Sequence, residues 1–245
     1  MAFTVHAVMP GVWHIVDCMG VCMTLLEGEN AAMLVDTGYG IEDVADFMRH
    51  MTDLPLTVFL THNHHDHAMG ARCFPETYML EADMADWRMF TNDEMRRRVL
   101  TQAIGKNLTV DEKTFLAGEI PLPKVMKPGV IDLGGLTAEI IEAPGHTPGS
   151  AVVYVPERKL LLSGDDWNPC TWLFFPQALG LREYRSNMRG IQQLPFEKVL
   201  CPHREALYDR WMFDDFFNAL TDGNLRAAEP VNIAPYEPVS YTHLT

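Results

Sequence analysis

Apolar residues follow two different rhythms along this chain. Short runs rich in Val, Leu and Ile read as strands at residues 21–26, 32–35, 56–60, 139–141, 151–155, 159–162 and 198–200. Clusters of Gly, Pro and Asn separate them, as in GEN at Gly28, DTGYG at Asp36 and APGHTPG at Ala143. Helical spacing takes over between some of these runs. Residues 41–51 place Val44, Phe47, Met48 and Met51 on one side of a helix. Residues 204–220 carry Leu207, Trp211, Phe213, Phe216, Phe217 and Leu220 along a broad apolar stripe, which reads as core packing.

The stretch from Glu81 to Pro128 breaks the strand-rich pattern. It is polar, bears Arg96, Arg97 and Arg98, and has Met and Trp at helical spacing. It reads as a helical insertion over one edge of the core, with the arginines on a solvated helix face. The expected organisation is one domain over residues 1–226 with this insertion at about 81–128, followed by a Pro-containing tail, 227–245, extended or disordered.

Composition narrows the function classes. The 245 residues are 47% apolar, enough for a buried core. Thirty-three acidic against 19 basic residues give a formal charge of -14, a poor match to the basic surface that nucleic-acid binding needs. No secretory leader and no membrane-spanning run is visible, and five scattered cysteines suit a reducing cytoplasm better than a disulfide framework. The expected partner is therefore a small-molecule substrate, with no nucleic acid and no membrane; self-association is left open.

The chemistry concentrates in THNHHDH, which follows the apolar run at 56–60. Alternate residues of an extended chain face one side, so His62 and His64 can present imidazoles to one metal ion. Asp66 and His67 are adjacent, and both can face the same site only if the chain turns there, as HAMGA allows by starting a helix. Four donors exceed what one catalytic zinc takes and fall short of two, so further ligands must come from elsewhere. His146 in APGHTPGS, Asp165 in LLLSGDD and His203 in VLCPHRE each follow a strand and are candidates.

In this order the residues resemble the metallo-β-lactamase superfamily, whose signature is H-x-H-x-D-H after a strand followed by a distant His, Asp and His. The resemblance spans about Val12 to Leu207. It implies an α+β fold, a four-layer αββα sandwich of two mixed sheets with helices outside. It also implies that His62, His64 and His146 bind one metal, that Asp66, His67 and His203 bind a second, and that Asp165 bridges them. Asp36 in LVDTGYG would brace a ligand from behind or hold a turn without being a ligand, Asp166 would not be a ligand, and His65 fills a variable position.

Two such cations, most simply Zn2+ with Fe or Mn as alternatives for this nitrogen and carboxylate donor set, lower the pKa of a shared water and stabilise developing charge. Asp66 would act on the nucleophile's proton as the catalytic carboxylate. The expected function is a dinuclear metal-dependent hydrolase acting on an ester, thioester, lactone or related bond. GHTPGS resembles the thioesterase, glyoxalase II and lactonase branches, although Asn168 stands where lactonases carry Tyr. An iron-dependent oxidoreductase of the persulfide-dioxygenase kind, or a non-catalytic binding module, are the alternatives. Trp167, Trp172, Phe174 and Phe175 line a substrate pocket or else belong to the core or a dimer contact, and Arg182, Tyr184 and Arg185 are expected at the surface rather than on a polar group of the substrate.

Overall fold

Ala32 and Leu34 point to one face of their strand while Met33 and Val35 point to the other, and all four are buried. The same holds for Ala151, Val153 and Val155 against Val152 and Tyr154. Strands covered on both faces belong to the middle of a layered structure. That is the architecture found in a computed structural model describing residues 3–227, 229–231 and 239–241.

One sheet has seven strands in the order β1 (Thr4–Met9), β2 (Val12–Val16), β3 (Cys22–Glu27), β4 (Ala32–Val35), β5 (Leu56–Phe59), β6 (Tyr78–Met79) and β7 (Lys124–Val125). Its first four strands pair antiparallel and its last four parallel. The second sheet contains β8 (Gly129–Asp132), β9 (Thr137–Glu142), β10 (Ala151–Val155), β11 (Leu160–Leu162), β12 (Lys198–Leu200) and β13 (Tyr208–Asp209). Only β11 and β12 pair parallel there.

Met33, Val35 and Phe59 from the first sheet meet Ile140, Val153 and Leu162 from the second in a shared core. Outside the first sheet lies α1 (Val44–Met51), whose Val44 and Met48 pack on Leu34 and Val58. The intervening short helices are α2 (His65–Ala68), α3 (Trp87–Thr91), α4 (Asp93–Gly105) and α5 (Glu112–Phe115). Outside the second sheet, Tyr184, Met188 and Ile191 of α6 (Leu181–Ile191) and Phe213 and Phe217 of α7 (Arg210–Ala219) cover Val152 and Val199. The result is a four-layer αββα sandwich. Among the described residues no helix is long and apolar enough to cross a membrane.

Several expectations shift. The helix placed at 41–51 begins at Val44, because the Asp43 carboxylate caps it by accepting from the Asp46 N–H. The helix placed at 204–220 begins at Arg210, because Tyr208 and Asp209 form the edge strand β13. The helix phase therefore starts later than the stripe assumed, and Trp211 is 61% exposed while Phe213 and Phe217 are buried. Within 81–128, α3, α4 and α5 sit between β6 and β7, the parallel edge pair whose connection must cross over. Arg97 and Arg98 are exposed, but Arg96 is buried and donates to the Phe115 and Gly118 carbonyls. Tyr184, expected at the surface, is fully buried, its phenol donating to the Asp166 carbonyl; Arg182 is exposed and Arg185 pairs with Asp222 at 3.1 Å. Past α8 (Asp222–Ala227), β14 (Glu229–Val231) and β15 (Val239–Tyr241) pair antiparallel, and the rest of the expected extended or disordered tail lies outside the described residues.

Candidate metal centre

Five strands end at one rim of the sandwich. Asp36 follows β4, His62 follows β5, His146 follows β9, Asp165 follows β11 and His203 follows β12. The chain after His62 turns into α2, with Asp66 in its first turn. This turn lets Asp66 and His67, neighbours in sequence, face the same site.

Three overlapping trios result: His62, His64 and His146; His62, His67 and Asp165; and Asp66, His67 and His203. Within each, one donor atom per residue lies within 4.8 Å of the others. His64 Nδ1 approaches His146 Nε2 to 2.8 Å. Asp165 spans the groups, its Oδ2 lying 3.0 Å from His203 Nε2 and 3.5 Å from His146 Nε2, its Oδ1 3.5 Å from His67 Nε2. All seven side chains nominated by the sequence are brought together here.

Hydrogen bonds on the far side of three of the rings fix which nitrogen faces inward. Asp36 is the hub. Its carboxylate accepts from the Thr61 N–H at 2.7 Å and from the Thr61 hydroxyl at 2.9 Å. It also accepts from His67 Nδ1 at 3.0 Å. With its proton given to Asp36, the Thr61 hydroxyl accepts from His62 Nδ1 at 3.0 Å. His146 Nδ1 donates to the Trp172 carbonyl at 2.7 Å. His62, His67 and His146 each therefore turn Nε2 to the centre, and on the neutral His62 and His146 rings that nitrogen is unprotonated, the tautomer a cation requires. His62 Nε2, His67 Nε2 and Asp165 Oδ1 are buried with no hydrogen-bond partner among the described residues. Buried polar atoms so arranged are costly unless a cation satisfies them, so the donor set fits divalent metal.

The charges divide the centre. Burial holds His62, His64 and His146 below the usual imidazole pKa, and the neighbouring rings depress His62 and His64 further, keeping this trio neutral. Burial also opposes charge on His67 and His203, but Asp165 and Asp66 outweigh it and raise both, with Asp36 adding to the effect on His67. The same imidazoles, His203 and His67 foremost at Asp165 and His67 and His65 at Asp66, hold those carboxyls below the carboxylate range against the pull of burial.

Three supports escaped the sequence reading. Asp166, set aside beside Asp165, is fully buried and accepts from the His146 N–H at 3.0 Å. Thr61 carries the bond from Asp36 to His62. Asp83 accepts from the Asn63 and Gly149 N–H groups and the Thr147 hydroxyl, joining the two histidine loops. Only the density of polar residues near the histidines hinted at the second, and nothing in local spacing marked the others.

A cavity of about 740 Å³ opens over the centre, with Asp66, His146, Asp165 and His203 in its floor. That volume is in the range of small-molecule sites. Phe90, Trp172 and Phe175 line its walls, Trp172 42% exposed; Phe174 lies against Phe175 with ring centroids at 4.8 Å and planes tilted by 34°. Trp167 instead packs in the core against Phe213, so the aromatic block serves both purposes. Asn168 also lines the cavity, its side-chain oxygen accepting from the Cys170 N–H.

Comparison with known proteins gives the same picture. A family model described as the metallo-beta-lactamase superfamily matches residues 16–203. The acyl-coenzyme A thioesterase MBLAC2 of Gallus gallus is 26% identical over 202 residues, covering 73% of this chain and 70% of its own length. The linear primary-alkylsulfatase of a Pseudomonas species is 23% identical over 173 residues, 58% of this chain and only 32% of its own. Among solved structures, the metallo-beta-lactamase from Pontibacter korlensis superposes with a TM-score of 0.64 at 18% identity, covering 90% of this chain and all of its own.

Proposed function

The chain belongs to the metallo-beta-lactamase superfamily, and on that premise we propose that it is a dinuclear, zinc-dependent hydrolase of ester or thioester bonds in a small molecule. The observation that carries this reading is the convergence of His62, His64 and His146 and of Asp66, His67 and His203 on either side of Asp165, on the floor of a ligand-sized cavity. The first trio would hold one cation and the second another, with Asp165 between them. When bound, such cations supply Lewis acidity and bring the pKa of water toward neutrality.

The chain's own residues supply the rest. Asp66, kept ionised by His67, His65 and His203, faces the cavity and orients the attacking water by accepting one of its hydrogens. Asp36, accepting from His67 Nδ1 and from the Thr61 hydroxyl that meets His62 Nδ1, holds both rings with Nε2 toward the centre. Asn168 spends its side chain on the turn at Cys170 and puts no phenol over the centre, which favours open-chain esters and thioesters over lactones.

The same donors admit iron or manganese. Metal analysis by mass spectrometry, together with a screen of thioester, ester, lactone, phosphodiester and β-lactam substrates, tests the reading. Two equivalents of zinc per chain and chelator-sensitive thioester or ester turnover are expected. Stoichiometric iron in a coloured protein would overturn the zinc assignment, and no metal-dependent turnover on any substrate would favour a binding module.

A further inference from the structure

We infer that the cavity is polarised: an apolar acyl chain lies over the His62, His64 and His146 side, and a leaving group bearing an anion lies at Arg204. This rests on the hydrolase reading above and names the substrate class of the same site.

The two ends of the centre differ in composition. Phe90 of α3 and Phe175 of the loop after β11 press their rings on His64, with centroids at 4.5 and 5.0 Å, and Phe175 lies 5.5 Å from His146. Met89 and Met95 extend this wall from the helical segment and Trp172 extends it from the loop. Gln177 Nε2 contacts Met89 Sδ at 2.7 Å, joining the two walls across the opening. Met89 and Trp172 are 48% and 42% exposed at the rim, a placement that costs hydration unless an apolar ligand covers them.

The opposite end is wetter and, beside the Asp66 and Asp165 carboxylates, carries the cavity's guanidinium. The His203 side chain is 30% exposed, whereas that of His146 is 2% exposed. Arg204, next to His203, is the one arginine or lysine lining the cavity among the described residues, and its guanidinium donates to the His203 carbonyl at 2.9 Å. Hydrocarbon favours the dry end and charge the wet one. The scissile carbonyl then sits between them, over Asp165. In the reaction, water oxygen bonds to the acyl carbon and the carbon–sulfur bond breaks. The sulfur leaves with the bonding pair and takes one proton, and the acid product loses the other to solvent.

The test uses the zinc-loaded full chain and thioesters of acetate, butyrate, octanoate and decanoate. Each acid is joined either to mercaptopropionate, an anion, or to mercaptoethanol, which is neutral. kcat/KM should rise roughly two- to fourfold per methylene, by apolar transfer alone. The slope should flatten in Phe90→Ala and Phe175→Ala, and in Met89→Asp, an exposed position that should leave folding intact. The preference for the anionic thiol should fall roughly two- to fivefold in Arg204→Gln, as expected of a partly exposed ion pair. Independently of turnover, decanoate should quench fluorescence in the wild type and do so far less in Trp172→Phe. Turnover that is flat or falling with chain length, or an unchanged thiol preference in Arg204→Gln, overturns this assignment and leaves the hydrolase reading standing. Decanoate binding without turnover of any thioester does the reverse.

Discussion

The Asp36 carboxylate receives His67 Nδ1 at 3.0 Å from a backbone held in the left-handed region, at φ 64°. Asp is among the few residues that tolerate this conformation, and the three donors converging on its carboxylate hold it there. Asp36→Asn keeps the backbone preference but sets an amide NH2 against groups that all donate. That variant should bind zinc about 10- to 100-fold more weakly, the usual cost of losing a ligand's orienting partner. Competition against a chromophoric chelator measures it, and an affinity equal to wild type would show that Asp36 does not orient His67.

Gly70 lies where α2 meets the turn after β4. A Cβ there would stand 2.1 Å from the Thr37 carbonyl oxygen, a backbone atom that cannot swing aside. Thr37 in turn donates its N–H and its hydroxyl to the His67 carbonyl, both at 2.8 Å. Gly70→Ala should therefore cost about 1–3 kcal/mol by overpacking and displace His67 from the centre. Gly105→Ala, at the end of α4 with open space around its Cβ, should be neutral or slightly stabilising. Thermal unfolding of the two variants side by side checks the contrast.

What the sequence revealed and what it hid have physical causes. THNHHDH stood out because five ionisable groups in six positions have little use in a core, and β4 and β10 because an unbroken run of buried residues, AMLV and AVVYV, admits few other placements. The strands β1 and β8 went unread because they are edges, partly or largely exposed and without an apolar run. Two-residue strands such as β6 and β7 carry no period at all. Asp36 was legible as a residue that braces a ligand or holds a turn; which groups it gathers was not, since that depends on Thr61 and His67 arriving from another strand end. Tyr184 was misplaced because its burial is set by a partner, the Asp166 carbonyl, that spacing within α6 does not show.

Arg96 is a stability determinant for the helices over the cavity. Its buried guanidinium donates to the carbonyls of Phe115 and Gly118 and pairs with Asp93 on its own helix. Arg96→Met fills much of the space but leaves both carbonyls without that donor. A loss of about 2–3 kcal/mol is expected, with faster hydrogen exchange at Leu116 and Ala117, whose N–H groups close the turn after α5. Denaturant unfolding combined with exchange mass spectrometry reads both. Arg97→Met, on the exposed face, should change neither.

His14 gives the fold a pH dependence of definite sign. Its ring is buried on β2, with Nδ1 3.0 Å from the Thr24 hydroxyl and Nε2 3.1 Å from the Arg204 carbonyl. Burial holds its pKa below the ordinary value; His6 also lowers it, while the Arg204 and Cys201 carbonyls and Glu205 oppose the shift without cancelling it. The unfolded chain takes up this proton near pH ~6.5, and the folded chain does so only at lower pH. Between those two values the unfolded state binds more protons, so the contribution of His14 is complete above about 6.5 and is lost as pH falls. The slope from this one group reaches at most ~1.4 kcal/mol per pH unit. His14→Gln cannot titrate. Urea unfolding of wild type and variant at pH values of about 7.5, 6.5 and 5.5, in the same metal state, should show wild type losing more stability toward acid than the variant. Parallel curves would mean that His14 carries the same proton in the folded and unfolded chains.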